Sequence, residues 1–98
     1  MDVSRIKGSV PPLITPFRNG EVDYDAYADL VEFQIREGSH GIPVNGTTSE
    51  PASLTVEERN RIVDVAIATA AGRVPIVAAT GSQSLAETEQ LTDHAVRA

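Results

Sequence analysis

The sequence predicts an α/β fold in which strands and helices alternate as β-α-β-α-β-α. Three short apolar runs carry the strands: Val10–Ile14, Gly41–Val44 and Val74–Ala79. Each leads into small or polar residues and then into a segment with helical apolar spacing. The unit length is about 33 residues, 98 divided by three, which suits a βα unit and not a solenoid repeat. Alternation of this kind implies parallel strands joined by right-handed crossovers. Apolar, β-branched strands between helices fit either a doubly wound sheet or a barrel.

In the first unit, Pro11 and Pro12 each remove a ladder donor, so strand character is expected mainly at Leu13 and Ile14. Arg18-Asn19-Gly20 reads as a turn. Asp23 stands where an N-cap belongs, and Tyr27, Leu30, Val31 and Ile35 follow the spacing of one helical face, predicting a helix over about Asp25 to Glu37. Asp25 and Asp29 lie near its positive end, and Gly38 terminates it. Tyr27 is expected in the core and Tyr24 at the surface.

The second strand, Gly41–Val44, is almost wholly apolar, as a strand buried on both faces should be. Thr55-Val-Glu-Glu58 has the form of a capping box, and Ile62, Val63, Ala66, Ile67 and Ala70 form the stripe of a second helix that Gly72 closes. Arg59 and Arg61 read as its solvated face. Val74–Ala79 is the third strand, with Pro75 near its start, where proline is tolerated. Ser84-Leu-Ala-Glu87 is a second capping-box pattern, opening a third helix that passes through Leu91 and Ala95. That helix reaches Ala98 without a C-cap signal, and three units leave sheet edges bare. The expectation is therefore that residues 1–98 are the N-terminal portion of a single longer domain.

Composition narrows the function classes. With 41% hydrophobic and 22% charged residues the chain has the balance of a globular protein. A net charge of −6 disfavours binding to a phosphate backbone, so no nucleic-acid partner is expected. The absence of cysteine removes disulfides, thiolate metal sites and a cysteine nucleophile. Pro11 and Pro12 interrupt the only apolar run near the N-terminus, and no segment approaches the roughly 20 apolar residues of a membrane span. A cytoplasmic protein with no membrane partner is expected. His40 and His94 have no ligand pattern around them, so no metal and no cofactor are implied.

The chemistry-bearing stretch is Gly41-Ile-Pro-Val-Asn-Gly-Thr-Thr-Ser-Glu-Pro51. A buried strand delivers the chain to Asn45-Gly46, then to two adjacent threonines, and a capped helix follows at Thr55. In α/β folds ligands bind at such strand-to-helix loops. Backbone N–H groups in a turn can cradle an anion, and a hydroxyl both donates and accepts. Thr47 and Thr48 are the candidate binding residues for a small anionic ligand. The plainer alternative is that their hydroxyls only cap backbone groups. Thr80-Gly81-Ser82 reads as a turn and cap.

Gly8-Ser-Val, Thr15-Pro-Phe17, Gly46-Thr-Thr-Ser-Glu50 and Gly72-Arg-Val-Pro-Ile-Val-Ala-Ala-Thr-Gly-Ser82 occur in an order and spacing that resembles the dihydrodipicolinate synthase / N-acetylneuraminate lyase family. The resemblance runs from Gly8 through almost the whole chain. It implies that the strands and helices are the first three units of a (β/α)8 TIM barrel, and that the parent protein is a lyase. Such an enzyme is a Schiff-base aldolase or synthase acting on pyruvate or a related 2-keto acid together with an aldehyde or semialdehyde, and its full-length chain forms a homotetramer. The family loop reads Gly-Thr-Thr-Gly-Glu. By position Thr47 matches the catalytic threonine that relays protons with a tyrosine, and Thr48 the threonine that binds the substrate carboxylate. Threonine is too weak an acid to act as a lone base, so Thr47 works as one link of a chain. Glu50 is expected to secure the loop and the following helix.

This sequence departs from the family at Ser49, where glycine is usual, and at Asn45, Pro51 and Ala79. A positive φ at position 49 would strain serine; otherwise its hydroxyl is free to alter the pocket. The lysine-feedback site of bacterial synthases uses a histidine, an asparagine and a glutamate where this chain has Val56, Gln83 and Glu87, so lysine inhibition of that kind is not expected. The Schiff-base lysine and catalytic tyrosine belong to later strands of the family barrel. Lys7, the only lysine here, precedes the first strand and is a solvated charge. On this reading the 98 residues alone do not catalyse the family reaction. The alternative function is a catalytically inactive fragment or structural half-barrel module that binds no ligand.

Overall fold

The start signals in the sequence place the helices. The computed structural model describes residues 3–98. Asp23 accepts from the Ala26 N–H at 3.0 Å and caps helix α1, Tyr24–Arg36. Thr55 and Glu58 form both bonds of a capping box, Thr55 Oγ1 accepting from the Glu58 N–H at 3.1 Å and Glu58 Oε1 from the Thr55 N–H at 2.8 Å, and so open α2, Val56–Ala70. In the third helix, α3, Leu85–Arg97, only half of the box forms. Ser84 Oγ accepts from the Glu87 N–H, but the Glu87 carboxylate accepts instead from the Ser82 hydroxyl at 2.7 Å. Gly38, with φ +98°, ends α1 as its position predicts, and α2 closes over Ala71 and Gly72, both left-handed.

The first predicted strand does not form. Residues 9–16 have no regular secondary structure. Pro11 and Pro12 withhold two donors from a possible ladder, and the segment is fastened at its ends instead. At one end the Ser9 N–H donates to His40 Nδ1 at 2.9 Å and the His40 N–H to the Ser9 carbonyl at 2.8 Å. Gly8 makes that approach possible: a Cβ there would lie 2.4 Å from His40 Nδ1, and its φ of +83° favours glycine in any case. The chain then forms a hairpin that the alternation did not predict. Strands β1, Phe17–Arg18, and β2, Glu21–Val22, pair antiparallel around Asn19-Gly20. Both turn residues have positive φ, 53° and 80°, the arrangement an Asn-Gly pair favours in a hairpin.

The other two predicted strands form and are parallel. β3, Ile42–Val44, pairs with β4, Ile76–Ala78, in the register Ile42 to Ile76 and Val44 to Ala78. Bonds from the Ile42 N–H to Pro75 and from the Ala79 N–H to Val44 extend the ladder at both ends. Ile42 and Val44 are fully buried, as a two-sided strand requires, whereas Val77 of β4 keeps 36% of its surface exposed. Helix α2 lies against both strands and packs on α1 and α3. The shared core is Leu13, Val22, Tyr27, Val31, Ile42, Val44, Ile62, Val63 and Ala66. Tyr27 is therefore core, as expected. Tyr24 is only half exposed, because the Arg61 guanidinium stacks on its ring at 4.0 Å. No helix among the described residues is long and apolar enough to cross a membrane.

Candidate active site

The loop after β3 lies at the carboxyl end of a parallel strand, where α/β folds bind ligands. It folds into two single turns of 3-10 helix, Thr47–Ser49 and Pro51–Ser53, joined at Glu50. Proline suits the first position of the second turn, and Glu50 carries the left-handed conformation, φ +56°, that links the two. Position 49 is not left-handed, so serine bears no backbone strain there. The Glu50 carboxylate is exposed; the residue secures the loop through its backbone, its N–H donating to Thr47 O and its carbonyl accepting from Ser53. Thr55, not Glu50, caps the next helix.

Ser49 is a fastener. Its side chain is buried, and its hydroxyl donates to the Leu13 carbonyl at 2.5 Å, while its own carbonyl accepts from Thr15 Oγ1 at 2.8 Å. These two buried bonds tie the loop to the irregular segment before β1. Ser49→Ala is expected to lower stability by about 1–3 kcal/mol, the cost of a buried acceptor losing its donor. Urea unfolding of the two proteins measures it.

Asn45 and Arg59 hold the loop from the other side. Asn45 is 2% exposed with φ +61°, a conformation asparagine tolerates better than most residues. Its Nδ2 donates to the Arg59 carbonyl at 3.1 Å. Arg59 is not on the solvated face of α2: it is 5% exposed, and its guanidinium donates to Gly81 O at 2.9 Å and Ala79 O at 3.0 Å. Burial pulls its pKa below the ordinary arginine value, and the nearby Glu87 carboxylate acts in the opposite direction. The spacing held a signal for this, since position 59 precedes Ile62 and Val63 by three and four residues and so shares their face.

Between these anchors Thr47 and Thr48 are exposed and adjacent, and neither hydroxyl bonds to another described group. They do not cap backbone groups. By contrast Thr80 accepts from Thr92 Oγ1 at 2.8 Å and the Ser82 hydroxyl donates to the Glu87 carboxylate; residues 80–82 form no regular turn, and the cap of α3 is Ser84. Val56, from the start of α2, meets Gln83 and Glu87 around a cavity of about 370 Å³ whose wall includes Pro51, Arg59 and Gly81. Val56 presents only methyl groups there. Lys7 is exposed near Ser9, at the amino end of β3. His94 does have a carboxylate partner, Asp64 Oδ1 at 2.8 Å on α2, which the sequence spacing did not reveal. No cluster of three metal-ligating side chains occurs among the described residues.

The model of the dihydrodipicolinate synthetase family matches residues 5–98. A 4-hydroxy-tetrahydrodipicolinate synthase of Phenylobacterium zucineum is 53% identical over 89 residues, covering 91% of this chain and 30% of its own. The chain thus spans under a third of the length of that curated relative. Two solved structures share the fold. N-acetylneuraminate lyase from Mycoplasma synoviae superposes with a TM-score of 0.92 at 26% identity, over 98% of this chain and 34% of that one. Dihydrodipicolinate synthase from Acinetobacter baumannii, complexed with pyruvate, gives 0.87 at 36% identity, over 94% and 32%. These neighbours are TIM-barrel enzymes, and the match runs through the loop, its anchors and the strands that position it. The chain belongs to the dihydrodipicolinate synthetase family.

Proposed function

We propose that this chain supplies the carboxylate-binding side of an active site for pyruvate or a related 2-keto acid, in a Schiff-base lyase or synthase that joins it to an aldehyde or semialdehyde. One observation carries the reading: two adjacent threonine hydroxyls stand exposed and unbonded at the carboxyl end of a parallel strand, on a loop anchored on either side of them by Asn45 Nδ2 and the Ser49 hydroxyl. Thr48 Oγ1–H donates to the substrate carboxylate. Thr47 accepts one proton and passes on another, linking the reacting carbon to a tyrosine from a later strand. The lysine whose ε-amine condenses with the keto carbon, releasing water, also comes from a later strand, because Lys7 lies at the wrong end of β3. The activity of the curated relative and the pyruvate bound in one solved neighbour support this substrate class.

On the same reading residues 1–98 are the N-terminal part of one TIM-barrel domain, contributing its first three strand–helix positions. The full-length protein is a cytoplasmic homotetramer, and the 98 residues alone are inactive. Borohydride reduction of the full-length protein with pyruvate is expected to add the mass of one reduced pyruvate adduct to a lysine other than Lys7. An unmodified protein would sink the proposal.

A further inference from the structure

Arg59 is the one charged residue that is buried among the described residues, and it sits on the apolar stripe of α2. Removing a cation from water is costly, and a methionine would fill the same stripe without that cost. No carboxylate lies within ion-pair distance of it among the described residues. Its partners are all backbone. The guanidinium forks across the carbonyls of Ala79 and Gly81, just past the carboxyl end of β4. Its own carbonyl receives Asn45 Nδ2, just past the carboxyl end of β3. The Ala79 N–H in turn donates to the Val44 carbonyl at 2.8 Å. Val44, Asn45, Arg59 and Ala79 thus close a ring of three hydrogen bonds and one peptide link around the ends of both parallel strands. Thr47 and Thr48 begin two residues beyond that ring.

We infer that Arg59 is a positioning residue for the keto-acid site: by bridging the loops that leave β3 and β4 from one turn of α2, it sets the aim of the Thr47 and Thr48 hydroxyls. A planar fork spans two carbonyls at once, which a lysine ammonium on a flexible stem does not reproduce. The consequence is kinetic as well as structural, because small misplacements of binding groups carry large losses. The kinetic part rests on the function proposed above; the loop-ordering part does not.

The test uses the full-length protein with Arg59→Lys and Arg59→Met. Both are expected to raise KM for pyruvate about tenfold and to lower kcat by about tenfold or more, and to speed amide exchange of residues 45–50 and 79–82 without affecting α1. Variants with wild-type KM, or with kcat and KM disturbed in proportion to lost melting temperature alone, would overturn the inference. If Arg59→Met does not fold, Arg59→Lys decides: wild-type exchange and KM in that variant also overturn it. If the unmutated protein is not trapped by borohydride with pyruvate, the functional reading fails, and the exchange of residues 45–50 alone judges Arg59, unchanged protection counting against it.

Discussion

Replacing Thr48 by valine is expected to weaken pyruvate binding by about 10- to 100-fold. Valine keeps the shape of the side chain and removes one hydroxyl. A hydrogen bond to a charged group contributes about 1.5–3 kcal/mol, and each 1.4 kcal/mol is a factor of ten in affinity. The fold should hardly respond. Thr48 is exposed and its hydroxyl bonds to no described group, so the change in unfolding free energy belongs with ordinary surface substitutions, within about 0.5 kcal/mol. Calorimetric titration with pyruvate, alongside urea unfolding, separates the two effects. Equal losses in binding and folding would make the threonine a structural part of the loop and favour the inactive half-barrel module. Thr47→Val provides the contrast within the same loop, since a relay residue affects turnover more than binding.

Asn45→Val should lower stability by about 2–4 kcal/mol, the largest effect expected from a single change near the site. A β-branched residue is a poor occupant of the left-handed region, and holding one there costs about 1–3 kcal/mol. The bond from Nδ2 to the Arg59 carbonyl is lost as well, for about 1 kcal/mol more. Asn45→Gly removes the strain and keeps only the second loss, so it should fall near the lower end of that range or below it. Urea unfolding of the pair distinguishes strain from hydrogen bonding. If glycine is as damaging as valine, the side-chain bond, and not the backbone conformation, is what asparagine contributes.

The parts of the fold that were legible in the sequence depend on local rules. Asp23, Thr55 and Ser84 announced three helix starts because an N-cap bond spans only three residues. Ile42–Val44 was legible as a buried strand because it is apolar on both faces, and Gly38 and Gly72 as stops because left-handed residues favour glycine. The first predicted strand fails to form for a physical reason present in the sequence itself. Pro11 and Pro12 leave too few donors for a ladder, and the run is held instead by bonds to His40 and Ser49, about 30 residues away in the chain. The hairpin at Asn19-Gly20 carried its own signal, an Asn-Gly pair, but its strands are two residues long and show no alternation to read.

At the site, the sequence by itself determined the candidate residues. The order of motifs and the Gly-Thr-Thr step single out Thr47 and Thr48 within a short loop, and Lys7 is the one lysine of the sequence. Tertiary structure alone decided what holds those threonines. Ser49 proved to be a buried tie in place of a strained substitution, and Arg59 an internal bridge in place of a solvated charge. His94 was seen to face Asp64, and Val56, Gln83 and Glu87 to share one cavity wall. The reason is the range of the interactions. Caps, turns and stripes are settled within one or two helical turns, so their residues are neighbours in the sequence. The bonds that aim the loop join residues 14 to 36 positions apart, and only the packing of β3, β4 and α2 brings those partners within reach.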